Sequence, residues 1–124
     1  MSLSRGKQLE QVLADLKKDY LKALPAKIEK LQTFIKAQQW NSVVEEAHKL
    51  KGTGKTYGFP EVSCIAAKIE HLAEDSTKRT DSFFSNAWTL LEEMRNSYLQ
   101  GKDFDLNSHP LRITLGLELS QDNE

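Results

Sequence analysis

The sequence predicts an all-α protein: an antiparallel, up-and-down four-helix bundle with an additional N-terminal helix and a non-helical C-terminal tail. Apolar residues recur at helical spacing through the first hundred residues, the breaks between periodic segments are short, and strand-like alternation begins only after residue 100. A chain of 124 residues with 39% hydrophobic and 28% charged residues suits one ordinary soluble globular domain. We expect the bundle to occupy residues 1–101 and a tail or linker to occupy residues 102–124.

The first two helices are predicted from apolar residues that repeat at steps of three and four, which place them on one helix face. These residues are Leu9, Leu13, Leu16 and Tyr20, followed by Leu24, Ile28, Leu31 and Ile35. Proline is tolerated in the first turn of a helix, where its missing N–H has no partner to lose. We therefore expect helices over about residues 5–22 and 24–39, with a break or kink at Leu24-Pro25.

The third helix has a predicted start and a predicted end. Ser42-Val43-Val44-Glu45 has the pattern of a capping box, with Asn41 as an alternative cap. The turn-forming residues Gly58-Phe59-Pro60 end the helix. Its apolar stripe consists of Val43, Ala47, Leu50, Gly54 and Tyr57.

Two more helices follow, joined by a charged turn at residues 74–79. The fourth places Val62, Ile65, Ile69 and Leu72 inward. The fifth is capped by Thr80 or Asp81 and buries Phe84, Ala87, Leu91, Met94 and Tyr98 before Gly101. Beyond it, apolar residues alternate from Leu111 to Leu119, which predicts a strand. Such a strand would pack across the bundle, pair with another copy, or form part of a linker, and the sequence leaves these open.

Composition excludes several classes of function. Net charge is −1, so a nucleic-acid binder that depends on a large basic excess is disfavoured. No apolar run approaches the ~20 residues of a membrane span. Cys64 is the single cysteine, and no apolar signal core follows Met1, so we expect a reducing, cytoplasmic location. The balance is uneven, however, because residues 1–40 carry eight basic and four acidic side chains.

Two glycines interrupt the third helix, and each costs about 1 kcal/mol relative to alanine. Gly54 falls on the apolar stripe, where it allows a neighbouring helix to approach closely. Gly52 does not. On a helical wheel that places His48 at zero, the apolar stripe centres on about 220°, Lys55 and Lys51 lie about 20° and 60° to one side of His48, and Gly52 lies about 40° to the other.

The exposed face therefore combines one imidazole, two ammonium groups and a patch of bare backbone. A bare patch lets another protein's active site approach the ring of His48. Val44 lies about 40° away on this face, where it would be either an apolar docking contact or partly buried filler.

Glu70 is predicted to lie beside His48. In an antiparallel hairpin, residues equidistant from the turn are neighbours, and the midpoint of positions 48 and 70 is Phe59 in the predicted turn. A carboxylate there would accept the Nδ1–H of His48 and leave Nε2 free as a nucleophile. The alternative is an ordinary solvent-facing glutamate.

His48-Lys49-Leu50-Lys51-Gly52, with Gly58 six residues further on, resembles the signature of histidine-containing phosphotransfer (HPt) domains. The upstream Leu24-Pro25 pair and the later Ile69-Glu70 pair are also similar to that family. The likeness covers about residues 16–75, and the family's remaining helix fits residues 80–100.

This resemblance implies that His48 is phosphorylated, that Lys51 assists its phosphoryl group, and that Gly52 and Gly58 keep the surface open. It implies no metal site and no cofactor in this chain, since Mg²⁺ would come from the partner. The expected partners are response-regulator receiver domains and a hybrid sensor kinase, without nucleic acid or membrane, and we expect a monomer. The role of Lys55 in supporting the phosphoryl group rests on the helical wheel alone.

Three other interpretations compete with this one. Gly52-Thr53-Gly54-Lys55-Thr56 matches the end of a phosphate-binding P-loop, but Lys49 stands where that motif needs glycine, and no strand leads into it. The phosphoacceptor domain of a sensor kinase usually has Glu directly after its histidine and a proline a few residues further on, whereas here Lys49 follows His48 and the next proline after it is Pro60. An HPt-like interaction module without phosphotransfer stays open. The remaining histidines, with one cysteine, lack the spacing of a zinc site.

Overall fold

A computed structural model describes residues 5–117 of the chain. Four long helices, α1 to α4, are followed by a 3₁₀ turn over Leu106–Ser108 and a short helix, α5. Within the described residues there is no strand, and the all-α prediction is confirmed. The α-helices have the following bounds: α1 Arg5–Lys36, α2 Trp40–Thr56, α3 Pro60–Ala73, α4 Asp81–Leu99 and α5 Pro110–Leu115.

Helix α1 runs without interruption through Pro25, so the prediction of two separate helices is wrong. A proline inside a helix removes the hydrogen bond to the carbonyl four residues earlier, which here is that of buried Leu21. The Arg95 side chain replaces it, because its Nε donates to the Leu21 carbonyl oxygen at 2.8 Å. The helix therefore continues without leaving this buried carbonyl unpaired.

The N-terminal half of α1 extends past the rest of the bundle. The helix has 32 residues, whereas α2, α3 and α4 have 17, 14 and 19. Leu9, Leu13 and Leu16 share a face as predicted, but all three are exposed, and Tyr20 is the first buried residue of α1. The repeat therefore predicted the helix correctly, but the apolar residues of its first three turns are exposed and not buried in the core.

Helices α2 and α3 form a tightly packed hairpin. Helix α2 begins at Trp40 and has no side-chain cap, so the capping box predicted at residues 42–45 is wrong. The Val43 N–H already donates to the Gln39 carbonyl at 3.1 Å, a helical bond that starts the helix earlier. The chain turns at Gly58, whose φ of +83° suits glycine, and Pro60 begins α3 as proline often does.

The start of α4 is as predicted: Thr80 is its cap, and its hydroxyl accepts a hydrogen bond from the Phe83 N–H at 3.2 Å. In the preceding turn, Arg79 donates to the carbonyls of Leu72 and Ala73 at the end of α3. The Arg79 guanidinium also lies 4.0 Å from the centre of the Trp40 ring. This turn therefore holds the ends of three helices together.

The predictions of a non-helical tail and of a strand from residue 111 are wrong as far as Leu117. Pro110 and the His109 side chain, which accepts the Leu111 N–H at 3.1 Å, start α5, and Gly116 ends it with φ +68°. Leu115 is buried while Ile113 stays exposed. Leu111 and Leu115, four residues apart, face the core from α5, so the alternation does not reflect a strand. Its last member, Leu119, lies outside the described residues.

The core lies between the four long helices and extends to the tail. Its fully buried larger side chains are Leu24, Leu31, Val43, Val62, Ile65, Ile69, Leu90, Leu91, Met94, Leu106 and Leu115. None of the helices within residues 5–117 is both long enough and apolar enough to cross a membrane.

Candidate functional site

His48 projects from the middle of α2 into solvent. Its side chain is 67% exposed, whereas its neighbours Ala47 and Leu50 are buried in the core. This is the orientation that the helical wheel predicted. The ring is therefore open to a large partner rather than enclosed in a pocket.

Glu70 on α3 lies directly beside His48. Its Oε2 is 3.1 Å from His48 Nδ1, and its Oε1 is 3.0 Å from the Lys51 ammonium. The Glu70 side chain is only 18% exposed, so it fills the seam between the two helices. The hairpin register thus brings together the three residues that the sequence had singled out.

Gly54 makes this proximity possible. A Cβ at this position would lie 2.9 Å from the Ser63 backbone nitrogen and 3.0 Å from Val62 Cβ, which is closer than real Cβ atoms pack. The bare backbone lets α2 and α3 approach closely, which puts Glu70 within reach of His48. Gly52 differs, since a Cβ there would have no atom within 4 Å. Packing within the described chain therefore does not require glycine at position 52.

The Glu70 carboxylate is held in its charged form. Burial alone would raise the pKa of this carboxyl, but hydrogen bonds from Lys51 and His48 outweigh burial and lower it below its ordinary value. A charged carboxylate accepts a proton donor at Nδ1, so the geometry favours the tautomer with hydrogen on Nδ1. The lone pair of Nε2 then faces the solvent side.

The two lysines differ in their surroundings. Lys51 is half-exposed, and its ammonium is paired with Glu70, a partner that the helical wheel alone does not indicate. Lys55 is exposed and has no ion-pair partner among residues 5–117. Val44 is half-buried and packs against the core.

Sequence reasoning missed an ion-pair cluster next to the site. Glu46 lies 3.2 Å from the Lys49 ammonium and 3.5 Å from that of Lys30 on α1. The spacing of Glu46 and Lys49 along the helix predicts the first pair. The second was not visible, because it depends on how α1 packs against α2.

The other histidines serve elsewhere. His109 accepts the Leu111 N–H at Nδ1 as the cap of α5, so its Nε2–H donates to Glu93 Oε1 at 2.7 Å, while His71 is exposed on α3. In the described part of the chain, no group of three or more His, Cys, Asp or Glu residues is placed to hold a metal ion.

The site is therefore an exposed histidine, bonded at Nδ1 to a carboxylate from the next helix of a four-helix core. The family model of the Hpt domain matches residues 15–100, and the chain belongs to this family. Hpt domains interact with receiver domains and take part in phosphotransfer in two-component systems. Searches of curated proteins and of solved structures return no match.

Proposed function

We propose that this protein is a phosphorelay intermediate in which His48 Nε2 accepts a phosphoryl group from a receiver-domain aspartyl phosphate and passes it to another receiver aspartate. The observation that carries the proposal is the 3.1 Å contact of His48 Nδ1 with Glu70 on a ring that is otherwise exposed. The contact leaves Nε2 as the nucleophilic atom at the surface.

The transfer step is balanced without a proton acceptor. The Nε2 lone pair attacks phosphorus, an N–P bond forms, and the P–O bond to the donor aspartate breaks, so the donor leaves as a carboxylate. The ring proton stays on Nδ1, and the ring becomes more positive as the N–P bond forms. The Glu70 carboxylate stabilises that developing charge, and the reverse step delivers the phosphoryl group to an acceptor aspartate.

Lys51 and Lys55 support the phosphoryl group in this proposal. Lys51 uses one N–H for Glu70, and an ammonium group has two more to offer an anionic oxygen. Lys55 adds a second positive charge from the next turn of α2. The receiver supplies Mg²⁺ and most of the transition-state stabilisation, while Gly52 and Val44 form the surface on which it docks.

The test is transfer from a phosphorylated receiver in the presence of Mg²⁺. We expect one phosphoryl group per chain, labile in acid and stable in base. His48→Gln abolishes it, whereas the matched control His71→Gln, at an exposed histidine on α3, leaves it intact. ATP alone labels nothing.

Three results would overturn the proposal. Labelling of His48→Gln would place the phosphoryl group elsewhere. A receiver that binds the protein without transferring its phosphoryl group, tested with several receivers, would favour an interaction module instead. Labelling by ATP alone would indicate a kinase domain.

A further inference from the structure

The projecting half of α1 carries an apolar surface that the bundle does not cover. Leu9, Val12, Leu13 and Leu16 are 60%, 52%, 49% and 42% exposed. They account for four of the five exposed large hydrophobic residues in the described part of the chain. We call these four residues the α1 stripe. Exposed area of this kind, gathered on one helix face, marks an interaction surface.

We propose that the α1 stripe binds the same stripe of a second copy of this chain in an antiparallel pair. The four residues are placed symmetrically about the peptide bond between Val12 and Leu13. An antiparallel pair centred there packs Leu9 against Leu16 of the second copy and Val12 against its Leu13. Every apolar residue of the stripe then meets another, in both directions.

The charges beside the stripe complement each other in the same arrangement. On a helical wheel, Glu10 and Lys17 lie on one flank, and a twofold antiparallel pair places matching flanks side by side. Glu10 then comes within about two residues, roughly 3 Å along the axis, of Lys17 of the second copy. Each dimer contains this contact twice.

A second pair of opposite charges lies at the edge of the stripe, where Arg5 and Asp19 are each within about 20° of Val12 on the same wheel. Arg5 comes to within about one residue of the level of Asp19 of the second copy. The basic residues that would stand opposite each other, Lys7 and Lys18, lie on the far side of the helix. Asp15 is bonded to Gln11 of its own chain at 3.0 Å. This pattern of charges favours a second copy over an unrelated helix.

The arrangement leaves the phosphotransfer site free. The overlap ends at Tyr20, the first buried residue of α1, just beyond Lys17, whose ammonium lies beside Gly58 of its own bundle. The two bundles therefore lie at opposite ends of the helix pair. His48 stays exposed in each, and self-association is therefore separable from the proposed function. This inference replaces the sequence-based expectation of a monomer. The exposed area amounts to about two whole side chains per copy, which fits a dissociation constant on the order of tens of micromolar.

Sedimentation velocity tests the pairing from about 10 to about 500 µM protein, a range that spans the expected dissociation constant. The wild-type chain should pass from monomer to dimer. Glu10→Lys and Lys17→Glu should each weaken the dimer about tenfold, since each puts like charges opposite one another twice. The double variant should restore wild-type affinity. Lys18→Glu, the matched charge change on the far side, should have no effect.

Circular dichroism should show that each variant is folded, because both positions are exposed. A wild-type monomer throughout the range would overturn the proposal, whether residues 118–124 or another protein covers the stripe. A dimer whose affinity the double variant fails to restore would overturn the antiparallel pairing. Phosphotransfer to His48 should be unchanged in Glu10→Lys, so failure of either proposal can be recognised separately.

Discussion

Replacing Gly52 by alanine should make the protein more stable and a poorer phosphotransfer partner. Beyond its own turn of α2, a methyl group at this position would have no atom of residues 5–117 within 4 Å, so it creates no clash there. Alanine is favoured over glycine inside a helix by about 1 kcal/mol. We therefore expect the free energy of unfolding to rise by about that amount and the midpoint of thermal unfolding to rise by about 3–5 °C.

Gly54→Ala is the matched control, because it gives the same propensity gain in the same helix. There the methyl group would meet the Ser63 backbone nitrogen at 2.9 Å, and α2 and α3 must separate to admit it. Such overpacking costs about 1–3 kcal/mol, so the net change should be a loss of stability. Denaturant unfolding followed by circular dichroism measures both variants.

The functional effect of Gly52→Ala follows from the proposed docking surface. A receiver that carries its aspartate to the His48 ring must bring its backbone close to α2, and the added methyl group stands in that path. We expect the methyl group to raise the free energy of the transition state for transfer by about 1.4 kcal/mol, which slows transfer about tenfold. Rapid-quench measurement of transfer from a phosphorylated receiver gives the rate. An unchanged rate in a stabilised Gly52→Ala variant would refute the role given to Gly52, and a loss of stability would refute the packing argument.

Three further predictions concern Glu70 and the helix that carries Pro25. Glu70→Ala should slow transfer to His48 roughly tenfold without unfolding the bundle, through loss of a hydrogen bond to a charged group; an unchanged rate would remove Glu70 from the mechanism. Because the pKa of Glu70 is lowered in the folded protein, its contribution is present above the unfolded value of about 4.3 and is lost as pH falls through the folded value. Denaturant unfolding of wild type and Glu70→Ala should therefore differ more at pH 6 than at pH 3, and a constant difference would contradict this. Arg95→Leu should lower the free energy of unfolding by about 1–3 kcal/mol, because it removes the donor to the Leu21 carbonyl. In a Pro25→Ala background the loss should be less than half as large, because the new N–H at position 25 supplies the bond. Equal losses in a double-mutant cycle would show that Arg95 acts otherwise.

The features that the sequence predicted well are those determined by neighbouring residues. Thr80 caps α4 because its hydroxyl reaches an N–H three residues away, and Pro60 starts α3 through its own fixed φ. The contact of His48 with Glu70 is long-range in sequence. It could still be predicted, because a short turn fixes the register of a hairpin and Gly54 signals close approach.

The features that were missed depend on distant partners. Nothing near Pro25 indicates that Arg95, 70 residues later, will satisfy the carbonyl that proline leaves unpaired. The ion pair of Lys30 with Glu46 was hidden for the same reason, because it depends on how α1 packs against α2. In the tail, five alternating apolar residues are typical of a strand, but His109 caps and Pro110 begins a helix there instead.

The most direct test of the account is to locate the phosphoryl group within the His48 ring. Correlation NMR on the ¹⁵N-labelled, phosphorylated protein distinguishes the two ring nitrogens by their coupling to phosphorus. Because Glu70 occupies the Nδ1 side at 3.1 Å, the account predicts a single species phosphorylated at Nε2, with a proton retained on Nδ1. Phosphorylation at Nδ1, or on any residue other than His48, would contradict it.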